Sequence, residues 1–258
     1  MAMTDLMDRI AGAPISWGVC EVPGWGLQLP VDRVLGEAAA LGLTAMEQGA
    51  LGWLPTDPLE LRSKLGGYGL SLVGGFVPMI LHDRSRRQEM RERADEIAGT
   101  IAAAGGRHFV TALVADLDDW SRVALDTEAW DSLLTGLDEL DTVIAQHGVT
   151  QELHPHVDTL VEQDDELERF LDGCAVALCL DTGHLTIGGT DPVAIAERYA
   201  DRVGLVHLKD IDAAALQRLR QGELSLMGAT QAGLFPPLGD GIVPIARVIE
   251  SLIERGYA

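Results

Sequence analysis

Four of the seven histidines of this 258-residue chain sit in three short segments that also carry carboxylates and a lysine. VTQELHPH holds Glu152, His154 and His156. CLDTGH holds Asp181 and His184, and VGLVHLKD holds His207, Lys209 and Asp210. Residues two apart in an extended segment face the same side. Glu152 therefore shares a face with His154, and His207 with Lys209. Carboxylates and imidazoles side by side in apolar surroundings are unfavourable unless something satisfies them. A divalent cation would do so, and a mixed carboxylate and imidazole set suits Mn2+, Mg2+, Co2+ or Zn2+. Each residue also has a plainer use. Asp181 could cap the turn after it, His207 could be a satisfied core histidine, and Glu152 and Lys209 could be ion-pair partners.

The elements that would hold these residues read as a repeated unit of a short apolar run, a turn and a segment of helical period. Strands are expected at 14–19, 43–48, 70–81, 107–115, 149–154, 175–181 and 202–209. Helices are expected at 31–42, 57–69, 84–104, 127–148, 163–172, 191–200 and 243–256. Asp57-Pro58 and Asp191-Pro192 are helix starts, with a capping carboxylate followed by proline in the first turn. Alternating strands and helices imply a parallel sheet with helices outside. Seven such units without a linker point to an α/β fold, a closed (β/α)8 TIM barrel forming one domain over residues 1–258. A doubly wound sheet is the second choice, and it lacks a GxGxxG sequence after its first strand. The chain stops at Ala258 where an eighth strand would begin, so the expectation is a C-terminally incomplete barrel with that strand missing from this chain.

In such a barrel the chemistry lies at the C-terminal ends of the strands. That position collects Glu47 after the second strand and His82 after the third. It also collects Glu152, His154 and His156 at the end of the fifth, Asp181 and then His184 at the end of the sixth, and His207 and Lys209 on the seventh.

The net charge of −21, from 40 acidic and 19 basic residues, argues against nucleic acid and against anionic membranes. Lys64 and Lys209 are the only lysines. No apolar run reaches the roughly 18 residues needed to span a bilayer. MAMTDLMDRI carries acids and does not read as a secretory signal, so a cytoplasmic location is expected. Cys20, Cys174 and Cys179 are too few and too scattered for a disulfide framework, and Cys174 and Cys179 read as buried thiols.

These segments resemble the xylose-isomerase-like superfamily of sugar isomerases, epimerases and dehydratases. The resembling motifs are ISWGVCEVPGWG (15–26), LTAMEQG (43–49), HPHVDTLVE (154–162), CLDTGHLTIGG (179–189), VGLVHLKD (203–210) and FPPLGDGIV (235–243). The first is similar to the opening strand and loop of inosose dehydratases. The resemblance implies one divalent metal held by residues from strands 5 to 8. Asp181 matches the strand 6 ligand and His207 the strand 7 ligand. Either Glu152 or His154 takes the strand 5 place. His184 matches a histidine that touches substrate, and Lys209 a polar partner near the sugar.

The implied reaction is removal of a proton beside a carbonyl of a polyol ketone, giving an enediolate. Protonation of a departing hydroxyl would make this a dehydration, and protonation of the carbon an epimerisation. His184, Lys209 and Glu152 are the catalytic candidates. Trp17, Cys20 and Trp25 would form an apolar wall, with Glu47, His82 and His156 as further substrate contacts. The first reading is an inosose dehydratase-like lyase. A sugar isomerase or epimerase is the second, and a non-catalytic sugar- or metal-binding relative the third. The expected partner is a small polyol or sugar, with a homo-oligomer as one possible state.

Overall fold

The structure is a computed structural model that describes residues 9–20, 22, 25–118 and 120–257. The N-terminal stretch expected not to be a signal lies mostly outside the described residues, as do three positions of the ISWGVCEVPGWG motif.

Seven strands occur among the described residues. They are β1 (Ala45–Met46), β2 (Ser71–Leu72), β3 (Gly74–Met79), β4 (His108–Leu113), β5 (Thr150–Leu153), β6 (Ala177–Asp181) and β7 (Val203–His207). The helices are α1 (Val31–Ala40), α2 (Pro58–Gly66), α3 (Arg87–Ala104), α4 (Thr127–Ala145), α5 (Asp164–Gly173) and α6 (Thr182–Gly188). They continue with α7 (Pro192–Arg198), α8 (Ala213–Arg220), α9 (Leu226–Gln231) and α10 (Ile245–Glu254). β1 and β2 pair in parallel, and the other five strands form a sheet in the order β3-β4-β5-β6-β7. Sequential strands lying side by side, with helices between them in the chain, are what the repeated pattern predicts.

Two expectations are corrected. Residues 14–17 form a 3-10 turn instead of the first strand. Pro14 has no amide to give a ladder, and its fixed φ suits the start of a helical turn. Gly18 then ends the turn at φ 77. The place of that strand is taken by one bridge between Gly12 and Met46, where a Cβ on Gly12 would meet the Met46 sulfur at 2.5 Å. The expected strand 70–81 is divided at Val73. Its amide donates to Met46 O at 2.9 Å, while its carbonyl accepts from Arg107 N at 2.8 Å. One residue thus passes the chain from one sheet to the other.

The contacts divide the chain into two compact units. The first runs to Val77 and adds Arg91–Val110 and Thr142–Gln151. Its core includes Val34, Leu35, Ala38, Met46, Leu61, Leu65 and Leu72, which α1 and α2 bury on one side. The second comprises Pro78–Met90, Thr111–Asp141 and Glu152–Ala258. Its buried residues include Leu133 and Leu137 of α4, Phe170 of α5, and Leu178 and Leu180 of β6. The Asp-Pro helix starts form as expected. Asp57 accepts from Leu59 N and Glu60 N, and Asp191 from Val193 N, at 2.9–3.0 Å. Such caps contribute about 1 kcal/mol each.

Candidate metal and catalytic centre

β6 and β7 are in register with Asp181 opposite His207. β5 lies on the other side of β6, with Leu153 opposite Leu178. His154 follows directly, its amide bonded to Thr111 O at 2.8 Å. This pairing brings two ring nitrogens and a carboxylate oxygen to one place in the second unit.

Asp181 uses its two oxygens differently. Oδ1 caps α6, accepting from Gly183 N and His184 N at 2.9 Å each. Oδ2 lies 3.1 Å from His154 Nε2 and 3.6 Å from His207 Nδ1, and it accepts a short hydrogen bond from Lys209 Nζ. The two ring nitrogens are 3.2 Å apart. The cap fixes the carboxylate, so its second oxygen has one direction to point. The side chain that caps the turn thus also aims its second oxygen at two histidines and a lysine.

The triangle of 3.1, 3.2 and 3.6 Å fits a metal ion. With ligand bonds of about 2.0–2.2 Å, neighbouring donors of a tetrahedral site stand roughly 3.3–3.6 Å apart. Among the described residues, His154, Asp181 and His184 form one group able to hold a cation, and His154, Cys179 and His207 another. Cys179 lies two residues before Asp181 on the same strand face, so this buried thiol belongs to the surroundings of the centre.

His184 stands apart chemically. Its Nδ1 accepts from Val157 N at 3.3 Å. A neutral imidazole that accepts at Nδ1 carries its proton on Nε2. In this arrangement that nitrogen is a hydrogen-bond donor. The His184 ring lies 3.7 Å from that of His156, whose Nδ1 donates to Val157 O at 2.6 Å. Trp120 meets His156 edge-on at 5.6 Å, and Phe235 meets His184 at 6.3 Å.

The electrostatics suit ligation. Burial, with neighbouring positive charge, holds His154 down to about 4 and His156 to about 3, and pushes His184 well below the ordinary imidazole range. All three rings are neutral near pH 7, the form that binds a cation or donates without charge. Burial pushes the Asp181 carboxyl up, but Lys209, His184 and the hydrogen bonds from His154 and His207 hold it well below the usual carboxylate range.

Glu152 is fully buried and belongs to neither metal-competent group among the described residues. It packs over Gly204 of β7, where a Cβ would meet Glu152 Oε1 at 2.8 Å and Cγ at 2.9 Å. Gly204→Ala is expected to displace Glu152 and to lower stability by roughly 1–3 kcal/mol, as overpacking does. The urea midpoint reads this, and an unchanged midpoint would mean that Glu152 is not held there.

The remaining candidates are His82, Trp17, Cys20, Trp25 and Glu47. His82 is partly exposed, and its Nδ1 is buried with no hydrogen-bond partner among the described residues. Trp17, Cys20, Trp25 and Glu47 belong to the first unit. The Trp17 indole donates to Glu37 at 2.9 Å. Gln28 Nε2 donates to the carbonyls of Cys20 and Trp25 at 2.9 and 3.0 Å, which ties that loop together. Glu47 bonds through its amide to Gly12 O at 2.9 Å.

Residues not singled out from sequence also build the centre. The Thr182 hydroxyl donates to Lys209 O at 2.7 Å and accepts from Lys209 N at 2.8 Å, so it fixes the lysine backbone from both sides. Trp120 and Phe235 join it through their contacts with His156 and His184. Asp210 is legible in the sequence beside His207 and Lys209 at the end of the seventh strand.

Comparisons with known proteins agree with this architecture. The family model for a xylose isomerase-like TIM barrel matches residues 35–258. An inosose dehydratase of Geobacillus kaustophilus is 34% identical over 261 residues, covering 96% of this chain and 84% of that protein. The rhizopine catabolism protein MocC of Rhizobium meliloti is 33% identical over 258 residues, covering 96% and 78%. Among solved structures, an L-ribulose 3-epimerase superposes with a TM-score of 0.69 at 17% identity, over 96% of this chain and 78% of that one. An IolI protein described with a binding zinc atom superposes with a TM-score of 0.70 at 14% identity, over 96% and 85%. These two likenesses speak to the fold. With the family model spanning most of its length and a third of its residues shared with full relatives, the chain belongs to the xylose isomerase-like TIM barrel family.

Proposed function

We propose that this protein is a metal-dependent lyase that removes water from a cyclic polyol ketone, an inosose, through an enediolate. The observation that carries the reading is the triangle of His154 Nε2, Asp181 Oδ2 and His207 Nδ1, beside a histidine whose free nitrogen bears a proton. The similarity to inosose dehydratases along almost the whole chain supplies the substrate class. The three residues of the triangle would hold one divalent cation, with Mn2+, Co2+, Mg2+ and Zn2+ all compatible with the donor set. When bound, such an ion supplies Lewis acidity at the ketone oxygen.

The chain's own groups do the proton work. His184 Nε2–H donates to the departing hydroxyl, so that water leaves. Glu152 is the candidate to take the α-proton. Lys209 Nζ holds Asp181 and can hydrogen-bond a substrate oxygen. No helix among the described residues is long and apolar enough to cross a membrane.

Lys209→Met is expected to retain metal binding and to lower kcat about 10²–10⁴-fold, the range for a lost proton donor or oriented hydrogen bond. Titration calorimetry and turnover on the same sample separate the two, and unchanged kcat would remove Lys209 from the chemistry. The reading as a whole is tested by incubating inosose with the enzyme and a divalent metal while following ultraviolet absorbance. A diketone-type product is expected. Interconversion of ketoses without that product would favour an epimerase.

A further inference from the structure

Asp210 follows Lys209, is almost fully buried, and forms no ion pair among the described residues. Its carboxylate instead accepts four backbone amides. Oδ1 accepts from Ile211 N at 2.8 Å and Val243 N at 2.9 Å. Oδ2 accepts from Gly239 N at 2.8 Å and Gly241 N at 2.9 Å. Three of these donors come from FPPLGDGIV, a segment outside every strand. The same short stretch grips both ends of the loop, since Asp212 N donates to Leu234 O and Ile242 N to Ile211 O, at 2.9 Å each. The approach is close enough to require glycine. A Cβ on Gly241 would lie 2.3 Å from Asp210 Oδ1 and 2.5 Å from Ile211 O. Gly239 takes φ 98, which side chains rarely adopt.

The loop so held begins with Phe235, a partly exposed aromatic ring 6.3 Å from the ring of His184. Apolar surface left open beside a polar catalytic histidine is the usual make-up of a small-molecule site. An aromatic face is electron-rich and attracts the C–H edges of a saturated ring.

We propose that Asp210 is a positioning residue whose carboxylate folds segment 235–243 against the centre, and that the loop presents Phe235 as the apolar wall that selects a ring-shaped polyol. The substrate half of this inference rests on the dehydratase reading above. The clamp half rests on the hydrogen bonds alone. Four amides around one carboxylate fix both its oxygens, so the loop has a single seating. Burial pushes the Asp210 carboxyl up, and the amides of Val243, Gly241, Ile211 and Gly239 bring it below the ordinary value.

The test uses Asp210→Asn and Phe235→Ala in the metal-loaded full chain, with hydrogen exchange and steady-state kinetics on inosose. Asn keeps the shape but turns two acceptor sites into donors. In D210N the amides of Gly239, Gly241 and Val243 are expected to exchange at least roughly tenfold faster. KM for inosose should rise about tenfold with kcat within about threefold, the signature of lost uniform binding. In F235A the amides should stay protected while KM rises to a similar extent. Should D210N not fold, Gly241→Ala, which forces the same amides off the carboxylate, takes its place. Protected amides in D210N would overturn the clamp. An unchanged KM in F235A would overturn the wall. A wild-type protein that ignores inosose overturns the substrate reading and the wall with it, and the exchange pattern still decides the clamp.

Discussion

Asp181→Asn is expected to weaken divalent-metal binding by more than about 100-fold, beyond the range for loss of a mere supporting contact, and to reduce turnover to background. The reason lies in the division of labour between its oxygens. Oδ1 caps α6 through two amides, and Asn can keep that role. Oδ2 faces His154, His207 and Lys209. In the variant an amide nitrogen takes that place, a donor facing donors. Helix content should therefore survive while the ligand oxygen and the charge that offsets Lys209 are lost. Titration calorimetry with Mn2+, beside far-ultraviolet circular dichroism, reads both. Full metal affinity in a folded variant would refute the site.

The second large effect is on stability against pH. His154 and His156 are held down to about 4 and about 3, and His184 well below its ordinary value, all chiefly by burial. The unfolded chain titrates these rings near pH 6.5. Below that value the unfolded state binds protons that the folded state refuses. The stabilisation is thus fully present above about pH 6.5 and is lost as pH falls toward the folded values. Three rings at about 1.4 kcal/mol per pH unit each give a slope approaching about 4 kcal/mol per unit between pH 6 and 5. Asp181 adds nothing in this window, because its carboxyl is ionised in both states there. Urea unfolding of chelator-stripped protein at pH 7.0, 6.0 and 5.0 measures the slope. A flat profile would mean that the rings are solvated and already charged.

Much of the centre can be read from spacing. The Asp-Pro pairs start helices as written, and the apolar runs ending in Asp181 and His207 lie in register on neighbouring strands. Both residues must then face the same side at the same height, so DTGH and VHLKD converge. Other features leave no periodic trace. Glu152 and His154 share a strand face, and spacing of two gives the face but not the depth. Depth is set by Gly204 on β7, whose missing side chain makes room for Glu152. α6 has only seven residues, with Gly183 and Gly188 inside it, and forms on the cap from Asp181. Strand residues 14–19 looked apolar enough, but Pro14 and Gly18 turn them into a helical turn. Trp120 and Phe235 lie in segments without pattern, and they reach the histidines through contacts some 30 to 50 positions away in sequence.

In the proposed centre, His154, Asp181 and His207 hold a divalent cation while His184 does not. Crystals soaked with Mn2+ or Co2+ and measured at the metal absorption edge test it most directly. The expected result is one anomalous peak within about 2.0–2.3 Å of His154 Nε2, Asp181 Oδ2 and His207 Nδ1, with His184 Nε2 outside bonding distance. A peak bonded to Glu152 or His184 in place of His154, or no peak among these side chains, would contradict it.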